Sequence, residues 1–141
     1  MLPKTAEYAL RAVVWLGREP DRTESADHLA AQTKVPRRYL HKVLQELVRA
    51  KLIRSQSGPG GGYTLARSPE KITVLDVVNV VSPLERIRHC PLGLRSHTQL
   101  CPLHAELDRA YAATEAALSR VTIAELLSST SASIPLCDIS R

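Results

Sequence analysis

No apolar run in the 141 residues approaches the ~20 that a membrane-spanning helix requires, and Met1 to Thr5 lead straight into an amphipathic segment without the apolar core of a secretory signal. Both absences point to a cytoplasmic protein with no membrane partner. Cysteine occurs only three times, and an odd count without an export signal excludes a disulfide framework, leaving metal binding, redox chemistry or packing. No internal repeat is present, and only Ser128 to Ser133 is low in complexity, so residues 128–141 are expected to form a flexible tail that carries the incidental Cys137. The chain shows no nucleophile beside a base, no usefully spaced carboxylate pair and no cofactor fingerprint, which argues against an enzyme.

Basic residues are concentrated in one half. Up to Lys71, 13 Lys/Arg stand against 7 Asp/Glu, whereas from Ile72 onward 6 stand against 7, so the formal charge of +5 belongs to the first half. That half suits a polyanion. Between Lys34 and Arg54 the basic residues are opposed only by Glu46.

What is present reads mainly as helix, with 44% hydrophobic residues, enough for one domain with an appendage. A first helix is predicted over Thr5 to Gly17, where Ala9, Leu10, Val13, Val14 and Leu16 share a wide apolar face. Gly17 and Pro20 stop it. A second, capped at Thr23 or Ser25, runs to Gln32. A third starts at Pro36, which suits the first helical position because its missing N–H is an unused donor there. Leu40, Val43, Leu44 and Leu47 form its inward side and Arg37, Arg38, His41, Lys42 and Gln45 its outward side. The period then changes from helix to strand: Leu52 to Gln56 and Tyr63 to Arg67 flank Ser57-Gly58-Pro59-Gly60-Gly61-Gly62, the pattern of a hairpin with a glycine tip. Thr73 and Asp76 form a capping pair for a fourth helix that ends at Ser82-Pro83, and Thr122 and Glu125 do the same for a short last one. A long helix from Pro102 to about Arg120 carries Leu103, Leu107, Ala110, Tyr111, Thr114, Leu118 and Val121 as one stripe.

Two short helices joined at Thr33-Lys34-Val35, followed at once by a hairpin, match a winged helix-turn-helix, whose second helix enters the major groove of DNA. Arg37, Arg38 and His41 lie at the end that reaches base edges, where Arg bonds guanine bidentately, while Lys34 and Lys42 suit phosphates. Tyr39 and Gln45 share that helix, and Arg54, Gln56, Ser57, Gly60 and Gly61 are the expected contacts from the wing. A phosphate-cradling nucleotide loop is excluded: no Gly-Lys-Ser/Thr follows the glycines, and Tyr63 continues into a strand.

Tyr8-Ala9-Leu10-Arg11-Ala12, Tyr39-Leu40 and Gly58-Pro59-Gly60-Gly61-Gly62-Tyr63 together resemble the Rrf-two family of bacterial winged helix-turn-helix transcription regulators, over roughly Met1 to Leu127. The resemblance implies a homodimer, joined through the long helix, on a palindromic operator in double-stranded DNA. The stripe of Leu103, Leu107, Tyr111, Thr114, Leu118 and Val121 agrees with such a seam, since a helix of this length overhangs a domain of this size. The resulting division is 1–82 for DNA binding, 83–101 for a Cys/His sensor loop, 102–127 for dimerisation and the short last helix, and 128–141 for the tail.

Cys90, His97, Cys101 and His104 crowd that loop, without the spacing of a zinc finger or ribbon. Cluster-binding members of the family have three evenly spaced cysteines there, in some followed by a histidine. Cys90, Cys101 and His104 match the outer two and the histidine, but Arg95-Ser96-His97 replaces the middle cysteine. The resemblance therefore leaves open a 2Fe-2S iron-sulfur cluster held by Cys90, Cys101 and His104 with His97 or the partner's Glu7 equivalent, a directly reacting thiol, or no centre at all. From a different class, the residues also allow a redox or metal-carrier protein whose basic face docks an acidic partner.

Overall fold

In a computed structural model, residues 2–130 and 133–136 are described. Helix α1 (Lys4–Arg18) is the central element, with Ala6, Ala9, Ala12, Val13 and Leu16 fully or almost fully buried. Small residues on this face let neighbours come close. Helix α2 (Ala26–Thr33) is capped by Ser25, whose hydroxyl accepts from the His28 N–H at 3.1 Å. It ends at Lys34 in the left-handed region, φ 56°, which turns the chain sharply into α3 (Arg37–Arg49). Pro36 precedes α3 as its N-cap, one position before the predicted one, because its ψ of 134° is still extended. Leu40, Val43, Leu44 and Leu47 are buried, as their spacing predicts.

Strands β1 (Ile53–Gln56) and β2 (Gly62–Leu65) pair antiparallel, Ile53 opposite Leu65 and Gln56 opposite Gly62. A feature not read from the sequence anchors them. Glu24, just before α2, exchanges two backbone hydrogen bonds with Tyr63, at 2.8 and 2.7 Å, and so ties the wing to the front of the helix-turn-helix. Gly62 is required there: its φ is +149°, and a Cβ would stand 2.2 Å from the Glu24 carbonyl oxygen.

After a 3₁₀ turn at Pro69–Lys71 come α4 (Val74–Val81), α5 (Pro102–Ser119) and α6 (Ile123–Leu127). Both predicted capping boxes, Thr73 with Asp76 and Thr122 with Glu125, are formed. The main core gathers Leu16, Leu29, Leu40, Leu44, Ile72 and Ile123, and a smaller one gathers Ala6, Val74 and Val78 with half-buried Leu118 and Val121.

The structure joins the predicted regions more closely than their division implies. Ile123 is fully buried, its N–H donates to the Ile72 carbonyl at 2.8 Å, and Gly17 leaves just enough room for Ile123 and Leu127. Helix α6 therefore packs into the same core as α1 and the 3₁₀ turn. At the far end, half-buried Leu136 packs against the main core. Residues 131, 132 and 137–141, Cys137 among them, lie outside the described residues. No described helix is long and apolar enough to cross a membrane.

Candidate nucleic-acid interface

One side of α3 is buried, and by helical periodicity the other must face outward. Arg37, Arg38, Tyr39, His41, Lys42 and Gln45 are all exposed, as is Lys34 in the preceding turn. Their surroundings differ. Arg37 Nε donates to Asp27 Oδ1 of α2 at 2.8 Å, so this guanidinium is partly engaged within the protein. Arg38 bonds the Tyr39 hydroxyl at 2.8 Å, with its guanidinium carbon 4.6 Å from the Tyr39 ring centre. Lys34, His41 and Lys42 form no ion pair with any described residue.

Beside this face lies a groove of about 410 Å³ between α3 and the wing, lined by His41, Gln45, Val48, Arg49, Ser55 and Tyr63. Arg49, Ser55 and Tyr63 were not among the DNA contacts expected from sequence. The signal was available in the strand alternation, which puts Ser55 on the α3 side and Arg54 on the opposite face. Arg54 instead rims, with Arg67, a cavity of about 660 Å³ floored by Gly17, Leu65 and Leu127. The wing tip also divides. Ser57 and Gly60 are exposed, and a Cβ on Gly60 would meet nothing within 4 Å. Gly61 is turned inward: its N–H donates to the Gly58 carbonyl, and a Cβ would stand 2.2 Å from the Gln56 oxygen. Gly61 thus shapes the hairpin while remaining partly exposed.

On α5, half-buried His104, Asp108, Ala112, Glu115 and Leu118 face the domain, whereas Leu103, Leu107, Tyr111 and Thr114 are exposed. The predicted stripe is therefore two stripes. Leu118 and Val121 pack into the chain's own smaller core, and the apolar residues left open are Leu103, Leu107 and Tyr111.

The Cys/His loop provides a test of fit for a metal or cluster. Cys101 Sγ and His104 Nδ1 come within 3.4 Å. Cys90 opens a separate turn, its carbonyl accepting from the Gly93 N–H at 3.0 Å, and nearby backbone N–H groups, that of Leu94 foremost, hold its thiol pKa below the ordinary value. His97 Nδ1 is buried without a partner, and Glu7 is engaged by Arg11 at 3.1 Å. Among the described residues no three such side chains converge. Of the expected set of Cys90, Cys101, His104, His97 and Glu7, one chain brings only Cys101 and His104 into contact among the described residues, short of the four ligands a cluster needs.

A helical core, a hairpin wing and the exposed basic helix α3 define a winged helix-turn-helix DNA-binding protein. A family model described as Rrf2, iron-dependent transcriptional regulator, matches residues 2–129, and the chain belongs to that family. It is similar to BadM of Rhodopseudomonas palustris, named as an HTH-type transcriptional regulator, with 44% identity over 55% of this chain and 49% of BadM. An HTH-type regulator of Aquifex aeolicus is 35% identical over 62% of this chain and 61% of its own length. The chain thus spans about half to three fifths of these curated relatives. The fold matches CymR of B. subtilis, described as its global cysteine regulator, with TM-score 0.76 and 23% identity over 93% and 98% of the two chains. It also matches T. potens IscR, with TM-score 0.75 and 22% identity over 90% and 85%. Family and relatives are transcriptional regulators, not enzymes.

Proposed function

We propose that this chain is a homodimeric, cytoplasmic regulator that binds a palindromic operator in double-stranded DNA. One observation carries the reading: the exposed polar face of α3, Arg38, His41, Lys42 and Gln45, runs beside an open groove whose far wall is the wing. A major-groove edge meets that face, while Lys34 and Lys42 take phosphates and Gly60 and Ser57 follow the sugar-phosphate rail. The exposed Leu103, Leu107 and Tyr111 supply an apolar seam for the second copy, which would set two α3 helices on successive major grooves. Nothing in this arrangement favours a carrier docking an acidic protein.

The signal enters, in this reading, at 83–101, because that loop is fastened to α5 and ends at its first turn. Its chemistry is that of thiols and imidazoles: Cys101 beside His104, and Cys90 at the start of a tight turn.

The test is selection of duplexes from a random pool, then titration of the winner at several salt concentrations. The expected result is an enriched sequence with half-sites roughly 34 to 36 Å apart and a log–log salt slope of about −0.9 per phosphate neutralised. A flat salt dependence, or no enrichment, would overturn the reading.

A further inference from the structure

Two of the sequence stretches noted at the outset, around Tyr8 in α1 and Tyr39 in α3, meet in space. Their ring centres are 6.1 Å apart and tilted by 37°. On one side of this pair, Arg38 lies over Tyr39 at 4.6 Å and donates to its hydroxyl at 2.8 Å. On the other, Arg11 lies 5.6 Å from the centre of the Tyr8 ring, pairs with Glu7 and donates to the Thr33 carbonyl at 3.3 Å. A continuous row therefore runs Arg38, Tyr39, Tyr8, Arg11, Thr33. It begins at the guanidinium best placed to read a base and ends at the last residue of α2, just before the turn.

An exposed arginine at the start of a helix ordinarily samples many rotamers and loses that freedom on binding. Here the ring beneath it and the hydroxyl ahead of it restrict both the plane and the direction of the guanidinium. Tyr39 is itself kept from swinging outward by Tyr8, which is half-buried against the main core. We infer that Tyr39 is a positioning residue for sequence readout, holding Arg38 on a seat supplied by Tyr8 of the first helix, and that it is not itself a principal DNA contact. The inference rests on the DNA-binding reading above and adds the residue that sets its specificity.

The experiment uses the full chain and the duplex that the wild-type protein selects from a random pool, with a scrambled duplex of equal length as reference. Salt-dependent binding by the wild type establishes the underlying reading first. If it is absent, that reading fails and Tyr39 is not at issue. Tyr39→Phe keeps the ring and removes only the hydroxyl, so thermal unfolding is expected to stay close to wild type. Selected-over-scrambled preference is expected to fall about 2- to 10-fold with the salt slope unchanged. In an Arg38→Ala background the same substitution is expected to change nothing, because the group it orients is gone. Equal loss on both duplexes with a shallower salt slope would make Tyr39 a phosphate contact and overturn the inference. So would an unchanged preference, or the same loss in both backgrounds. Tyr8→Leu provides the second arm: preference falls as for Tyr39→Phe, again only when Arg38 is present.

Discussion

Arg86 and Asp108 form a two-pronged ion pair: Arg86 Nε and Nη2 each donate to a different carboxylate oxygen of Asp108 at 2.8 Å. The Ile87 N–H donates to the same carboxylate, also at 2.8 Å. The segment leaving α4 is thereby fastened to the middle of α5, and the Cys/His loop becomes a closed excursion between two fixed points. The Arg86 bond is the main reason that the Asp108 carboxyl is held down to about 2.

The sign of the resulting pH dependence follows from that direction. A carboxyl whose folded pKa lies below its unfolded value, near 4, contributes stability that is complete above about pH 4 and lost as pH falls towards 2. Asp108→Asn keeps an acceptor for Ile87 but removes the charge. Its melting temperature is expected to lie below wild type at neutral pH, with the gap closing between pH 4 and 2. A gap that persists unchanged at pH 2, measured by circular dichroism melts, would assign the effect to packing instead.

Much of this architecture was legible because local physics and tertiary structure agree. Ser25, Thr73 and Thr122 cap helices as their types predict, and the α3 spacing buries the leucines it should. What periodicity does not encode is which neighbour a face meets. The α5 stripe is continuous in sequence, yet its end packs on Val74 and Val78 while its beginning stays open. Likewise, Arg37 and Arg38, read alike from sequence, part company once Asp27 is seen beside Arg37 and Tyr39 beneath Arg38, since a charge count records neither which acid stands beside which base nor an uncharged ring.

Gly62→Ala should expose how far the wing depends on Glu24. The added methyl would collide with the Glu24 backbone, at a φ that side chains rarely adopt. A loss of more than about 1 kcal/mol in denaturant unfolding is expected, together with weaker binding to every duplex. Wild-type stability in this variant would mean that the backbone at Glu24 gives way without cost.

Lys42 and Asp27 offer a matched pair of charge changes. Lys42→Ala removes a cation without an ion pair among the described residues, so affinity is expected to fall alike on selected and scrambled DNA, with the salt slope shallower by about 0.9. Asp27→Asn releases Arg37 and removes an exposed negative charge, so affinity at low salt is expected to rise about 2- to 5-fold on both duplexes. Filter binding over a salt series reads both. Asp27→Asn weakening the complex would show that the ion pair orients Arg37 instead of occupying it.

The division of α5 makes opposite demands on two leucines of one helix. Leu107 is open and sits between Leu103 and Tyr111 on the outer face, so placing a carboxylate there leaves the fold of one chain intact but puts a charge in any seam formed by a second copy. Leu107→Asp is expected to sediment as a monomer, to melt at a temperature independent of protein concentration, and to lose most operator affinity. Leu118 is half-buried beside Val78 and Ala6, so Leu118→Ala is expected to cost about 1–3 kcal/mol of stability while leaving the mass of the assembly unchanged. Analytical ultracentrifugation with paired unfolding curves separates the two. If Leu118→Ala dissociates the assembly and Leu107→Asp does not, the second copy docks on the inner face, and α5 must leave its own domain to receive it.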